Sequence, residues 1–119
     1  MLNILKKFRN KDIFKIDINE KSFSIQINNV FNNISWDKIK KIEAFKVDKL
    51  TYDDIRISFY LFDSDLVYTI SEEFENYNVL LNELQNRYNI TYDEWLEKVA
   101  FPPFEENRIT LWRHKSGII

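Results

Sequence analysis

Residues 54–62 read "DIRISFYLF" and alternate between apolar and polar side chains. The apolar positions are Ile55, Ile57, Phe59 and Leu61, and the positions between them are Arg56, Ser58 and Tyr60. Successive side chains of a β-strand point to opposite faces, so this stretch predicts a strand with one face against a core. The turn "DSD" follows, and the alternation of Leu66, Tyr68 and Ile70 predicts a strand that returns beside it.

The same period-two pattern recurs upstream. The apolar positions are Phe14, Ile16 and Ile18 before the turn "NEKS", and Phe23, Ile25 and Ile27 after it. This pattern predicts a hairpin with one solvated face. The stretch "NNVFNNISW" predicts a third, short strand, and one helical turn from Trp36 leads into a fourth strand around residues 42–47. The first 70 residues therefore predict six antiparallel strands.

From Ser71 the period changes to that of a helix. The apolar stripe consists of Phe74, Tyr77, Leu80, Leu81, Leu84 and Tyr88, which predicts a helix over about 74–88. Ser71 is the predicted N-cap, and the acids that follow it favour the positive end of the helix dipole. Thr91 and Glu94 have capping-box spacing, so a second helix is predicted over about 92–100. The stretch "RITLW" then predicts a final strand.

Strands followed by helices predict an α+β fold in one domain, residues 1–119. We expect a curved antiparallel sheet of about six to seven strands packed with the two helices; a pleckstrin-homology-like barrel is one specific form of it. Residues 1–10 predict a short basic amphipathic terminus. A terminal helix is favoured there over contact of residues 2–11 with anionic lipid.

Both prolines of the chain lie in "VAFPPFEENRITLW", residues 99–112. Pro102 disfavours helical geometry in the residue before it, and the pair fixes two φ angles ahead of the last strand. We interpret the segment as a structural clamp. The alternative is a binding surface, for which Glu105 and Glu106 are the candidate contacts.

Composition excludes several kinds of chemistry. The chain has no cysteine, one histidine (His114) and one glycine (Gly117), and no spacing matches a zinc or EF-hand site. A nucleophile–base pair and a Gly-rich phosphate loop are missing as well. We expect no enzyme activity, no cofactor and no metal. The absence of cysteine fits a reducing cytoplasm, and the net charge of −2 with scattered lysines argues against nucleic acid.

Charge is unevenly distributed along the chain. Residues 1–50 carry 11 of the 17 basic residues, whereas 51–119 carry 13 of the 19 acids. The candidate partner contacts in the acidic half are Asp53, Asp54, Glu72, Glu73, Glu105, Glu106 and Trp112. Acids in turns and helix caps are often only solvated. The other two interpretations are contacts with a basic partner, for which Trp112 would be an aromatic anchor, and paired carboxylates for acid–base catalysis.

Three stretches carry a resemblance to a known family: "SWDKIKKIEAFKVDKLTYDDI" (35–55), "SEEF" (71–74) and "WLEKVAFPPFEENRITLW" (95–112). Together they resemble small bacterial immunity-type proteins of polymorphic-toxin or contact-dependent systems. The resemblance implies a non-catalytic protein that neutralises a cognate toxin by occlusion. The alternative is a pleckstrin-homology-like module that binds lipid headgroups or peptides. The identity of the partner and the oligomeric state stay open.

Overall fold

A computed structural model describes residues 12–49, 51–100 and 107–115. The strands are β1 (Phe14–Ile18), β2 (Ser22–Ile27), β3 (Val30–Ser35), β4 (Ile39–Asp48), β5 (Asp53–Leu61), β6 (Val67–Ser71) and β7 (Ile109–Arg113). The helices are α1 (Tyr77–Tyr88) and α2 (Tyr92–Ala100). Both helices lie between β6 and β7 in the sequence, which confirms the α+β class and the predicted order of elements.

The strands form two antiparallel sheets. One has the order β1-β2-β3, and the other has the order β6-β5-β4-β7. The single curved sheet that we predicted is not confirmed, because β3 and β4 are separated by a 3-10 turn at Trp36–Lys38 and belong to different sheets. Alternation identifies each strand from its own residues, but it carries no information about which strands become neighbours.

The two sheets meet through buried aromatic rings. The Phe23 ring of the three-stranded sheet lies 4.9 Å from the Phe59 ring of the four-stranded sheet and 4.7 Å from the Trp36 ring, centroid to centroid. Leu80 and Leu84 of α1 complete this core from one side. Ile55, Ile57, Phe59 and Leu61 are all buried, which confirms the predicted core face of β5.

Helix α1 begins three residues later than predicted. Ser71 ends β6 and is not an N-cap; the cap is Asn76, whose φ of 72° is a left-handed conformation that asparagine tolerates. The acidic residues between Ser71 and Asn76 do not form the first turn of a helix. The Glu72 N–H donates to Ile55 O, and the Glu75 N–H donates to Phe14 O, so their amides extend the sheets.

Residues 72–76 therefore bridge the two sheets. Glu75 exchanges backbone hydrogen bonds with β1, and the Asn76 side-chain amide donates to Ile16 O at 2.8 Å. On the other side, Glu72 is bonded to Ile55 of β5. An acid-rich sequence after a strand is compatible with either a helical first turn or a bridging segment, and here the second arrangement forms.

Helix α2 has the predicted bounds. The Thr91 carbonyl accepts from the N–H groups of Glu94 and Trp95, and Ile90 and Trp95 are both buried. The proposed clamp at Pro102 and Pro103 lies outside the described residues, as do Glu105, Glu106 and the basic amphipathic terminus. Those interpretations stay predictions.

Strand β7 returns to the middle of the chain. It pairs antiparallel with β4, with Lys41 opposite Arg113 and Ala44 opposite Ile109. The register on the other side of β4 shifts between Ile39 and Lys41, which marks an irregularity at Lys40. None of the helices in the described part of the chain is long and apolar enough to cross a membrane.

The Phe23 ring should account for much of the cohesion between the sheets. We expect Phe23→Ala to lower the free energy of unfolding by about 3–5 kcal/mol, because the ring is fully buried and leaves an enclosed cavity. Phe31→Ala is the matched control: Phe31 lies on the adjacent strand but is 62% exposed, so its loss should cost less than about 0.5 kcal/mol. Urea denaturation measures both variants. Equal losses would show that Phe23 does not hold the sheets together.

Candidate functional site at the acidic end of the four-stranded sheet

Four of the predicted contact residues come together where β5 begins and β6 ends. We call this group, Asp53, Asp54, Glu72 and Glu73, the acidic corner. The antiparallel register that places Arg56 opposite Ser71 brings the two acidic pairs to one edge. The Glu72 carboxylate accepts from the Ile55 N–H at 3.0 Å, and the backbone groups of the same two residues are also bonded. The sequence predicted these residues but not their proximity.

Asp54 is the most constrained member of the acidic corner. Its side chain is 1% exposed and accepts from Arg56 Nε at 2.9 Å and from Ser71 Oγ at 2.7 Å. Lys49 Nζ lies 3.9 Å from the same carboxylate. A carboxylate that is bonded to several donors holds the side chains of those donors in place. Asp54 therefore orients Arg56 and Lys49 and has little surface left for a partner.

Asp53 points to the opposite face of β5. Its carboxylate lies 3.5 Å from Nζ of Lys46, which is 1% exposed and donates to Ala100 O at 2.9 Å. A cation at the C-terminal end of a helix is favourable because the carbonyl groups there carry partial negative charge. Lys46 thus connects β4 and β5 to the end of α2, and Asp53 is part of that structural connection.

Glu72 and Glu73 differ in exposure. Burial raises the pKa of Glu72; the hydrogen bond from Ile55 N–H opposes this, while the charges of Asp54 and Glu73 add to it. Glu73 is exposed, and it accepts from the Tyr52 hydroxyl at 3.0 Å, a hydrogen bond that raises the tyrosine pKa. Glu73 is consequently the member of the acidic corner most available to a partner.

The rim of the acidic corner carries both charge signs. A cleft of about 350 Å³ lies here, lined by Phe14, Lys49, Asp54, Arg56, Ser71, Glu73 and Phe74. Since Lys49 and Arg56 face the same space as Asp54 and Glu73, the cleft is mixed in charge, whereas the sequence predicted an acidic surface. Asp53 lies on the opposite face of β5 from Asp54, so these two neighbouring carboxylates do not form a pair for acid–base chemistry. The main partners of the four acids are cations, two hydroxyls and a backbone amide, and these contacts hold the fold.

An apolar row continues from this cleft across the three-stranded sheet. Phe14 stacks against Phe74 with ring centroids 5.3 Å apart, and it lies opposite Ile27, which in turn lies opposite Val30. Phe14, Ile27 and Val30 share the face that carries the buried Ile16 and Ile25, yet all three are exposed. We call them the apolar row. The apolar face of the three-stranded sheet therefore continues past the buried core into solvent-exposed positions.

Trp112 does not join the acidic corner. It lies opposite Ile42 on β4, roughly 17 Å along the strand from the residue opposite Asp54, and its ring packs 4.5 Å from that of Tyr88. Burial raises the pKa of Tyr88 to about 12, and its hydroxyl donates to Trp36 O. Trp112 is half-buried in this aromatic group. The predicted contact residues that the structure describes are thus divided between two places in the four-stranded sheet.

A second group of charged residues was not predicted from the sequence. Lys40, Lys41, Tyr60, Phe62, Arg113 and His114 line a cleft of about 350 Å³, which we call the basic cleft. Lys41 Nζ lies 4.3 Å from the Tyr60 ring centroid, and the Phe62 and His114 rings meet edge to face at 5.1 Å. The cleft exists because β7 pairs with β4, and no local pattern in either segment indicates that pairing.

Glu43 lies beside the basic cleft and is buried. Its carboxylate accepts from Tyr60 Oη at 2.9 Å and from Arg108 Nη1 at 2.6 Å, and Lys41 Nζ lies 3.4 Å away. Burial alone would raise the pKa of Glu43. The hydrogen bonds from Arg108 and Tyr60, together with the charges of Lys41 and Arg108, outweigh burial and hold the pKa below its ordinary value.

Two further observations bear on function. In the described ranges, no group of three His, Asp or Glu side chains is arranged to hold a metal ion. No protein-family model, no curated protein and no solved structure matches this chain. The candidate sites therefore rest on their own geometry.

Glu43→Gln should make the fold less sensitive to acid. Because the folded pKa lies below the unfolded one, the charged carboxylate stabilises the protein above about pH 4.3, and this stabilisation is lost as the pH falls through the folded pKa. The variant should lose about 1–3 kcal/mol at neutral pH and show a shallower decline in acid. Urea unfolding at several pH values tests this. Glu97→Gln, an exposed control on α2, should match the parent protein; an unaltered acid decline in Glu43→Gln would contradict the assignment.

Proposed function

We propose that this chain is a non-catalytic protein-binding protein of the immunity type, which neutralises a cognate bacterial toxin by occlusion. The observation that supports it best is the apolar row beside the mixed-charge cleft. A solvent-exposed continuation of a core face has no role in folding that the described contacts explain. Contiguous apolar surface rimmed by polar residues is typical of interaction sites.

The arrangement has the parts that an interface requires. Apolar and aromatic side chains at the centre of an interface supply most of its affinity, and charged residues at the rim set orientation and association rate. Here Phe14 and Val30 would be central, and Glu73, Lys49 and Arg56 would form the rim. Asp54 would act indirectly, because it fixes the two cations that face the cleft.

The remaining predicted contacts fit this proposal unequally. Glu105 and Glu106 lie outside the described residues and stay candidate contacts. Trp112 lies roughly 17 Å along β4 from the residue opposite Asp54, so a partner that touched both Trp112 and the mixed-charge cleft would have to extend along the four-stranded sheet. An immunity role also places the protein in the cytoplasm, where a toxin would act, and assigns it no cofactor.

Co-expression tests the proposal. The chain should restore growth to bacteria that express the toxin-like protein encoded beside its gene, and the two proteins should co-elute on size exclusion. The absence of such a gene, or of any complex with its product, would overturn the immunity function.

A pair of variants tests the surface. Val30→Asp should abolish rescue and weaken the complex by at least about tenfold, because it introduces a charge into the apolar row. Leu66→Asp is the control, since Leu66 is 63% exposed and Val30 is 61% exposed, but Leu66 lies outside the row. Both variants should keep the parent melting temperature. Rescue by Val30→Asp at the parent level would show that the partner binds elsewhere.

A second candidate is a pleckstrin-homology-like module that binds lipid headgroups or peptides. The order of strands before helices and the cationic lining of the basic cleft favour it. We expect sedimentation with phosphatidylserine-containing vesicles at low salt, where surface electrostatics are strongest. A chain that stays in the supernatant under those conditions would exclude the lipid version.

A further inference from the structure

We propose that the basic cleft is a binding site for a phosphate group, either inorganic phosphate or the phosphate of an ester. The inference is independent of the protein-binding function, because it concerns the other end of β4 and β5. Lys41 and the residue opposite Asp54 are six positions apart on β4, roughly 20 Å, so both sites can be occupied together.

The irregularity in β4 gives the cleft its two lysines. Consecutive residues of a regular strand point to opposite faces, yet Lys40 and Lys41 line the same cleft. They do so because Leu61 lies opposite Ile39 and Tyr60 lies opposite Lys41, which leaves Lys40 as an extra residue in the strand. Such bulges redirect side chains and are frequent beside functional sites. A regular register would have turned one lysine away.

The pairing of β4 with β7 places like charges together. Lys41 lies directly opposite Arg113, an arrangement that destabilises an antiparallel pair of strands. Lys40 and Arg113 are both exposed and make no ion pair with any acid in the described part of the chain. An anion between these cations would remove their repulsion. The adjacent Glu43 lies 3.4 Å from Lys41 Nζ and is also bonded to Tyr60 and Arg108, but it makes no ion pair with Lys40 or Arg113 in the described part of the chain.

The chemistry of the lining selects phosphate among anions. Guanidinium and ammonium groups together match the several oxygens and the double negative charge of a phosphate. Tyr60, Phe62 and His114 add aromatic rings to the lining, and ring atoms in place of water on one side strengthen charge interactions. The volume of about 350 Å³ leaves room for an ester group stacked on these rings. The cleft is thus suited to a phosphate carried by a small organic body or a lipid headgroup.

Titration with inorganic phosphate and pyrophosphate tests the site in the full chain. Amide resonances of Lys41, Arg113 and His114 should shift in a saturable manner at constant ionic strength, whereas sodium chloride alone should leave them in place. Vesicles of phosphatidylcholine with phosphatidic acid form the second arm of the test. Binding to these vesicles with weak binding of free phosphate would assign a lipid source, and the reverse would assign a soluble one; either result supports the site.

Two double variants with the same change in charge provide the control. Lys40→Gln with Arg113→Gln should weaken phosphate binding by at least about tenfold, whereas Lys21→Gln with Lys98→Gln should not. Arg113→Lys keeps the charge and should retain the phosphate affinity within a few-fold. This result would show that replacing Arg113 does not weaken binding through misfolding. Equal weakening by both double variants would overturn the proposal. So would the absence of saturable shifts, or binding of a glutamate-rich peptide without binding of phosphate.

Discussion

The contact of Phe23 with Phe59 and Trp36 is the interaction on which the two-sheet arrangement depends. The chain leaves the first sheet at Ser35 and enters the second at Ile39, and no hydrogen-bonded strand pair joins the two sheets among the described residues. Side-chain packing therefore holds one sheet on the other, together with the backbone hydrogen bonds that residues 72–76 make to β1 and β5. Each sheet buries one face in this contact. The proposed binding surfaces, which are the apolar row with its mixed-charge cleft and the basic cleft, lie outside the contact.

The four-stranded sheet separates two environments along one pair of strands. At the start of β5 the carboxylates are surrounded by donors, and the cations there are either buried or held by acids. At the other end of β4, Lys40 and Arg113 make no ion pair with an acid among the described residues, and Glu43 is bonded to Tyr60, Arg108 and Lys41. The formal net charge of −2 gives no indication of this difference in charge between the two ends of the sheet. A protein partner and a phosphate group would thus bind at different ends of the same scaffold.

Much of the local structure could be predicted from the sequence, because side-chain alternation is a local property. The strand at residues 53–61 and the helix that begins after Thr91 follow from their own residues. The pairing of β7 with β4 could not be predicted, since it joins segments about 70 residues apart. The predicted start of α1 was wrong for a different reason. Acids such as Glu72 are compatible with both the first turn of a helix and a bridging segment. For the candidate site, the sequence identified Glu73 but missed Lys40 and Arg113, which meet only through that distant pairing.

The bridging segment at residues 72–76 has a consequence for the dynamics of the protein. Its amides are bonded to β1 on one side and to β5 on the other. Neither sheet can move away from the other without breaking these hydrogen bonds. The amide of Glu75 should consequently exchange with solvent deuterium only when the two sheets separate, as slowly as amides of the core strands. A loop at the surface of the fold would then report on global opening rather than on local fraying.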